Sequence, residues 1–197
     1  MTPNVRKRLE DRAAVITGAS RGIGRATALA FAREGASILV NFRTEEAKAK
    51  KVSEEIEKLG GTAISFQADV ANRDEVEKMI EKAVDGFGHL DILVNCAGIL
   101  ERGCSFLKFE ERSFDRTMQV NVKGTLHCIR AVAPHMIEKH YGKIVNIASV
   151  AGLGTATTSN LAYASTKAAI IVLTKIVAIK LGQYGINVNA IAPGLIR

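Results

Sequence analysis

The sequence predicts an α/β protein built on a single doubly wound parallel sheet, and three observations predict it. Short apolar runs alternate with helical stretches from one end of the 197-residue chain to the other. These runs are apolar at consecutive positions, as strands covered on both faces must be. The first of them leads into a glycine-rich turn, Thr-Gly-Ala-Ser-Arg-Gly-Ile-Gly at residues 17–24, which opens the first helical stretch.

In chain order, Ala13–Thr17 reads as the first strand, residues 23–34 as a helix and Ser37–Phe42 as the second strand. Residues 45–59 form a charged amphipathic helix that runs into Gly60-Gly61, a pair suited to closing a helix at its C-terminal end. Residues 62–67 are a third strand, Arg73–Phe87 a third helix and Ile92–Asn95 a fourth strand. Residues 114–138 read as one long helix that Pro134 should interrupt or bend, since proline lacks an amide donor and its ring crowds the preceding turn. Residues 144–148 are a strand, 160–181 a helix and 186–192 the last strand. No repeat, low-complexity tract or linker divides the chain, so residues 1–197 are expected to form one domain.

Composition narrows the function. A hydrophobic content of 47% and a charged content of 24% are ordinary for a soluble globular protein, at a length that buries a sizeable core. The formal charge of +7 suits anionic cofactors or substrates as well as it suits nucleic acid. Its densest stretch, Arg6-Lys7-Arg8 with Arg12 nearby, is interrupted by Glu10 and Asp11 and has no interleaved aromatics. It reads as a solvated arm, with no nucleic-acid partner. Cys96, Cys104 and Cys128 have no metal-like spacing, and their odd number argues against a disulfide framework; Cys104 and Cys128 read as core or surface thiols. His89, His127, His135 and His140 show no ligand spacing, so no metal is expected. The charged start lacks the apolar stretch of a secretory signal. The apolar run at 168–181 is broken by Lys175 and Lys180 and is too short to span a bilayer. Together these predict a cytoplasmic protein without a membrane partner.

The glycine-rich turn follows a strand and opens a helix, the setting a phosphate-binding loop needs. Gly18 permits a tight turn, Gly22 a close backbone approach to a pyrophosphate, and Gly24 close packing of helix on sheet. N–H groups at the helix start then attract the phosphates. Sites that prefer NAD place an acid at the end of the second strand for the ribose hydroxyls. Here that strand ends Val40-Asn41-Phe42-Arg43, and Arg43 with Arg21 is suited to clamp a ribose 2′-phosphate, which points to NADP. Asp69-Val70 and Asn95-Cys96-Ala97-Gly98 follow the third and fourth strands, at the carboxyl ends that line a ligand crevice. Asp69 either caps the next helix or accepts a hydrogen bond from an adenine amino group, and small Ala97 and Gly98 suit close cofactor approach. Tyr163 and Lys167 are four residues apart, so a helix brings the ammonium to the phenol's side. A free phenol titrates at about pH 10; a neighbouring cation favours its phenolate and makes it a usable acid–base group.

On these residues the chain resembles the short-chain dehydrogenase/reductase family, of Rossmann fold, over nearly its whole length. The family's glycine motif matches residues 17–24, and its Asn-Asn-Ala-Gly motif matches Asn95-Cys96-Ala97-Gly98. Its catalytic asparagine, serine, tyrosine and lysine match Asn121, Ser149, Tyr163 and Lys167, and its Pro-Gly turn matches Pro193-Gly194. Among subgroups it is most similar to the 3-oxoacyl carrier-protein reductases and the related sugar and alcohol dehydrogenases. The resemblance implies that Tyr163 donates a proton to a carbonyl while hydride arrives from the nicotinamide, and that Lys167 lowers the tyrosine pKa and binds the nicotinamide ribose. It implies that Ser149 polarises the substrate oxygen beside Tyr163, and that Asn121 holds a water in a relay to Lys167. Cofactor contacts are implied for Gly18, Ser20, Arg21, Gly22, Ile23, Gly24, Arg43, Asp69, Val70, Asn95, Ala97, Gly98, Tyr163, Lys167, Pro193, Gly194 and Ile196.

The chain departs from that pattern in places. Cys96 replaces an asparagine, the segment between Ser149 and Tyr163 is longer than in typical carrier-protein reductases, and His140 and Tyr184 stand where those enzymes carry basic docking residues. The sequence stops at Arg197, where relatives continue through a substrate-covering loop and a last strand; the expectation is either a shortened chain or a protein without that lid. The function expected is reversible hydride transfer between NADP(H) and a small carbonyl or secondary alcohol, foremost a 3-oxoacyl thioester. A sugar-type dehydrogenase and a catalytically silent dinucleotide-binding scaffold are the alternatives. The helix at 160–181 is apolar on more than one face, so a second copy is expected to cover part of it; the resemblance implies a homotetramer.

Overall fold

The computed structural model describes residues 7–101, 107, 110–154 and 160–196. Arg6 of the basic arm, Cys104, residues 155–159 between Ser149 and Tyr163, and Arg197 lie outside the described residues. The strands β1 (Ala13–Thr17), β2 (Ser37–Phe42), β3 (Ala63–Gln67), β4 (Ile92–Asn95), β5 (Gly142–Ile147) and β6 (Ile186–Ile191) form one sheet in the order β3-β2-β1-β4-β5-β6. Every neighbouring pair is parallel. Between them run α1 (Gly22–Arg33), α2 (Glu46–Lys58), α3 (Arg73–Phe87), α4 (Glu111–Met118), α5 (Gly124–Glu138) and α6 (Leu161–Gly182). The expected doubly wound α/β architecture is present.

Alternation along each strand sorts the core into two layers. Ala14, Ile16, Ile38 and Val40 pack with Ala28, Leu29 and Ala32 of α1 and with Val52 and Ile56 of α2. Val15, Leu39, Leu93 and Ile144 face the other way, onto Met79 and Ile80 of α3, Val132 and Met136 of α5 and Val177 of α6. All five residues of β1 are buried, which is why its sequence shows no polar alternation. The chain returns from β3 on one flank to β4 beside β1, so the winding reverses between β1 and β4. The carboxyl ends of these two strands therefore diverge into a crevice.

The long helix differs from its reading. It begins at Glu111 and continues through Pro134 to Glu138. The irregularity lies earlier, in a π-helical turn at Gln119–Lys123 that contains Asn121. Pro134 and Arg130, whose carbonyl loses its partner to the proline, are both exposed, so solvent can satisfy what the ring leaves open. The π turn instead meets its need internally: the Thr125 hydroxyl donates to the Asn121 carbonyl at 2.7 Å.

Helix α6 has 22 residues and is long and apolar enough, by length and composition, to cross a membrane, contrary to the shorter run read from sequence. Its buried face carries Lys167 and Thr174, bonded to Ile147 and Asn146 of β5, so the helix packs on the sheet, with 33% of its apolar stretch buried. The basic arm is solvated at Arg8, whose side chain is 81% exposed, and differs from its reading at Arg12. Arg8 pairs with Glu34 at 2.8 Å, and Arg12 reaches buried Asp91 at 3.3 Å while lying 4.4 Å over the Tyr141 ring.

Candidate active site

Two loops meet at the reversal point, and a single hydroxyl joins them. Thr17, the last residue of β1, accepts hydrogen bonds at Oγ1 from the N–H groups of Cys96 (3.1 Å) and Ala97 (3.0 Å) after β4. On the other side Asn41 of β2 accepts from Gly18 N–H through its Oδ1 at 3.1 Å and from Ala19 N–H through its carbonyl at 2.8 Å. Its Nδ2 donates to the Ala68 carbonyl at 3.1 Å. Asn41 thus fixes the glycine turn to the loop after β3.

Within the turn the glycines answer to different constraints. Gly18 has φ +61°, and a Cβ there would stand 2.9 Å from the Ala97 Cα. At Gly24 a Cβ would fall 2.5 Å from the Gly18 carbonyl oxygen, so only glycine lets α1 start so close under the turn. Gly22, with φ +57°, has nothing within 4 Å of where a Cβ would be, so its backbone is bare towards the crevice. Arg21, extended at the N-cap of α1, gives no side-chain cap to the helix, which leaves the first-turn N–H groups for an anion.

The crevice is a cleft of about 330 Å³. Of the residues expected to touch a cofactor, Gly18, Ser20, Arg21, Gly22, Ile23, Gly24, Arg43, Asp69, Val70, Ala97 and Gly98 line it. Asn95 does not: it is buried, and its Nδ2 donates to Asn146 Oδ1 at 2.9 Å, clamping β4 to β5. Pro193, Gly194 and Ile196 follow β6 and are not among the lining residues. The Pro193 carbonyl instead accepts from Val150 N–H at 3.1 Å, tethering the chain after β6 to the segment after Ser149.

Asp69 does not cap α3. That role falls to Asn72, whose Oδ1 accepts from Asp74 and Glu75 N–H. Asp69 uses Oδ1 on the N–H of Ala71 at 2.9 Å and Oδ2 on Arg116 at 2.7 Å, with Arg43 3.8 Å from the same oxygen. Burial works to raise its pKa, but the Arg116 hydrogen bond and the Ala71 N–H outweigh it and hold the carboxyl below the usual range. One acid that the sequence reading missed also lines the cleft. Glu45, two residues past Arg43, is paired with Lys48 at 2.8 Å, and that hydrogen bond keeps its carboxyl ionised below its ordinary pKa.

None of the four residues expected to carry catalysis is among the lining residues. Asn121 and Lys167 lie behind the wall formed by Gly98, Ile99 and Ile147, Tyr163 lies beside Lys167, and Ser149 heads a turn packed on α6. Lys167 is buried, and its Nζ donates to the Ile147 carbonyl at 2.6 Å while lying 5.5 Å from the centroid of the Tyr163 ring. Burial lowers its pKa from the usual 10.5 to about 8. Asn121 is buried in the π turn; its Nδ2 donates to the Ile99 carbonyl and to Thr166 Oγ1, both at 3.0 Å, and its Oδ1 accepts from Ile99 N–H at 2.8 Å. A Cβ on Gly98 would lie 3.3 Å from Asn121 Oδ1 and 3.6 Å from Lys167 Nζ, which ties that glycine to the same cluster. Ser149 heads a 3₁₀ turn (Val150–Leu153), its Oγ accepting from Ala151 N–H at 3.2 Å. That turn lies directly on α6, since a Cβ on Gly152 would come within 2.5 Å of the Lys167 carbonyl carbon.

The start of α6 is held as firmly. Asn160 Oδ1 accepts from the N–H of Tyr163 at 3.0 Å, and Asn160 Nδ2 donates to the Glu101 carbonyl at 2.7 Å. Cys96 lines the cleft near Lys167, but burial pushes its thiol up to about 12, as it does for Cys128 in the core, so neither is a nucleophile at neutral pH. Among the described residues no cluster of His, Cys, Asp or Glu could hold a metal ion.

A glycine turn on a helix N-terminus at the reversal point, with a buried lysine bonded to the cleft-lining Ile147 and lying near a tyrosine ring, fits a dinucleotide-dependent oxidoreductase site. The family profile of short chain dehydrogenases matches residues 12–197. The chain is 43% identical over 189 residues to the BbsD subunit of a hydroxy(phenyl)methyl-succinyl-CoA dehydrogenase of Thauera aromatica, covering 96% of this chain and 75% of that one. It is 44% identical over 186 residues to the 3-oxoacyl-acyl-carrier-protein reductase FabG of Staphylococcus aureus, covering 94% and 74%. Among solved structures, an NAD⁺-bound xylitol dehydrogenase superposes with a TM-score of 0.90 at 35% identity over 95% of this chain and 72% of that one. A short-chain type dehydrogenase/reductase from Mycobacterium marinum gives 0.91 at 34% identity over 96% and 76%. The chain belongs to the short chain dehydrogenase family and is an oxidoreductase of the kind that uses a nicotinamide dinucleotide.

Proposed function

We propose that the protein reduces a carbonyl to a secondary alcohol with NADPH, reversibly, and that the substrate is a 3-oxoacyl thioester. The observation that carries the chemistry is the buried ammonium of Lys167, beside the Tyr163 ring and bonded to Ile147 in the wall of a phosphate-ready cleft. The cofactor supplies hydride to the carbonyl carbon when bound. Tyr163 gives its phenolic proton to the carbonyl oxygen, and Ser149 holds that oxygen by hydrogen bonding. Lys167 stabilises the phenolate left behind and offers its ammonium to the nicotinamide ribose. Asn121 ties the wall at Ile99 to α6 through Thr166, the residue before Lys167, and its part in the proposal is to hold a water that relays protons to Lys167. The bare Gly22 backbone and the uncapped start of α1 fit the pyrophosphate.

The preference for NADP rests on Arg21 and Arg43, which both line the cleft where β2 ends without a carboxylate. Glu45, which also lines the cleft, is the counterweight, and its ion pair with Lys48 offsets part of its charge. The thioester reading is supported by the carrier-protein reductases and the CoA-ester dehydrogenase among the relatives. A cytoplasmic location accords with that chemistry. A polyol or sugar dehydrogenase is the second reading, favoured by the likeness to the NAD⁺-bound xylitol dehydrogenase. Turnover of an acetoacetyl thioester with NADPH, run beside xylitol and glucose with NAD⁺ and NADP⁺, separates them. Thioester reduction at least tenfold above every sugar oxidation supports the proposal; sugar oxidation alone replaces it, and no turnover of any kind favours a silent dinucleotide-binding scaffold.

A further inference from the structure

Asp69 stands between two guanidinium groups that reach it from different walls. Its Oδ1 is taken by its own loop, through the Ala71 N–H at 2.9 Å, and its backbone N–H donates to Glu75 Oε2 at 2.7 Å. Only Oδ2 remains for side chains. Arg116, on α4 and outside the cleft lining, holds that oxygen at 2.7 Å. Arg43, on the cleft wall after β2, stands 3.8 Å from the same oxygen, beyond hydrogen-bond range. Among the described residues the Arg43 guanidinium makes no hydrogen bond, while its backbone carbonyl is fixed by Gln67 Nε2 at 2.9 Å. Arg43 is therefore anchored at its main chain and half-exposed at its charged end.

We propose that Arg116 is a positioning residue for cofactor discrimination: by occupying Asp69, it leaves Arg43 available to a ribose 2′-phosphate. The inference rests on the NADP reading above. Without Arg116, the carboxylate would have Arg43 as its nearest cation and would draw that guanidinium across the remaining gap, away from the phosphate. The freed negative charge would also repel the 2′-phosphate directly. Both effects act against NADPH and neither acts on NADH, which lacks that group. Burial works to raise the Asp69 pKa, but besides Arg116 the Ala71 N–H and the charge of Arg43 also lower it. The carboxylate therefore keeps its charge at neutral pH, and the competition is between full charges.

The test is a set of fluorescence titrations with NADPH and NADH on the wild-type protein, Arg116→Met, Asp69→Asn and the double variant. Methionine keeps the packed aliphatic stem while removing the charge. Arg116→Met should weaken NADPH binding by about threefold to fivefold, the scale of one partly exposed ion pair, and leave NADH binding unchanged. Asp69→Asn in the Arg116→Met background should restore the NADPH-to-NADH ratio, because the competing charge is then gone. Equal weakening of both cofactors by Arg116→Met, or no recovery in the double variant, would assign Arg116 a purely structural role and overturn the inference. A wild-type NADPH-to-NADH affinity ratio that is unchanged in Arg116→Met overturns it too, and leaves the NADP reading standing. Equal wild-type affinities for the two cofactors refute the NADP reading and the inference with it.

Discussion

In the proposed reaction Lys167 serves two groups, and burial sets the pH range in which its ammonium is present. Its pKa of about 8 means that the ammonium is present below that value and lost as pH rises through it. We expect kcat/KM for carbonyl reduction to fall as pH climbs past about 8, and Lys167→Met to lose both that limb and tight cofactor binding. The same shift bears on folding. The unfolded lysine, near 10.5, binds more protons between about 8 and 10.5 than the folded one, so stability rises with pH across that window. Tyr163→Phe removes only a hydroxyl, so turnover should drop by about 10²–10⁴-fold while cofactor affinity is retained. A Tyr163→Phe protein that keeps most of its activity would exclude the phenol as the acid. Stopped-flow reduction and equilibrium titration of the two variants across pH 6–10 measure all of this.

Each element brings one end of the sheet into register, and the end away from the cleft depends on one acid. Asp91, at the start of β4, is buried and bonds the N–H of Ala13 at 3.0 Å. Around it stand Lys139 at 2.6 Å, His89 at 3.1 Å and Arg12 at 3.3 Å, joining the start of β1 to the end of α5. Burial tends to raise the Asp91 pKa, but the Lys139 hydrogen bond, the Ala13 N–H and the surrounding charges lower it overall. A carboxyl lowered on folding stabilises above its unfolded pKa, near 3.8, and that stability is lost as pH falls through the lower folded value. Asp91→Asn should therefore cost about 1–3 kcal/mol at pH 7 and flatten the acid limb of a chemical-denaturation series. An unchanged acid limb would show that the charge is not what holds these ends.

At this scale the limits of the sequence also show. The strands were legible because the consecutive apolar residues of β1, β2 and β4 have no polar face to hide them. The π turn was not, since nothing local in Gln119–Lys123 demands it; it is held by Thr125 and by the bonds of Asn121 to Ile99 and Thr166, which are distant in sequence. Thr17 and Asn41 were missed for the same reason: a polar residue ending an apolar strand looks like a boundary until the loops it ties are seen. Asn41, a polar residue inside the apolar stretch 38–42 of β2, was the one signal available.

For the whole molecule the unresolved term is the outer face of α6. Val172, Ile176 and Ile179 recur at four- and three-residue spacing, so they share one stripe, and they are 56%, 47% and 82% exposed. The opposite face of the helix packs on the sheet and on the Lys167 cluster, and among the described residues this stripe stays exposed. A second copy is the occupant that leaves the cleft intact, because two-fold pairing of one apolar helix with itself needs only a single complementary surface. We propose a homo-oligomer, a tetramer by resemblance, whose contact runs along α6. Sedimentation at micromolar concentration should show no monomer, and Ile176→Asp, an exposed position that touches neither cleft nor core, should shift the protein to smaller species with its fold intact by circular dichroism. A wild-type monomer would refute the contact. If Ile176→Asp stays assembled, the interface lies elsewhere, and α6 presents an apolar stripe to solvent on a helix whose other face already carries the chemistry.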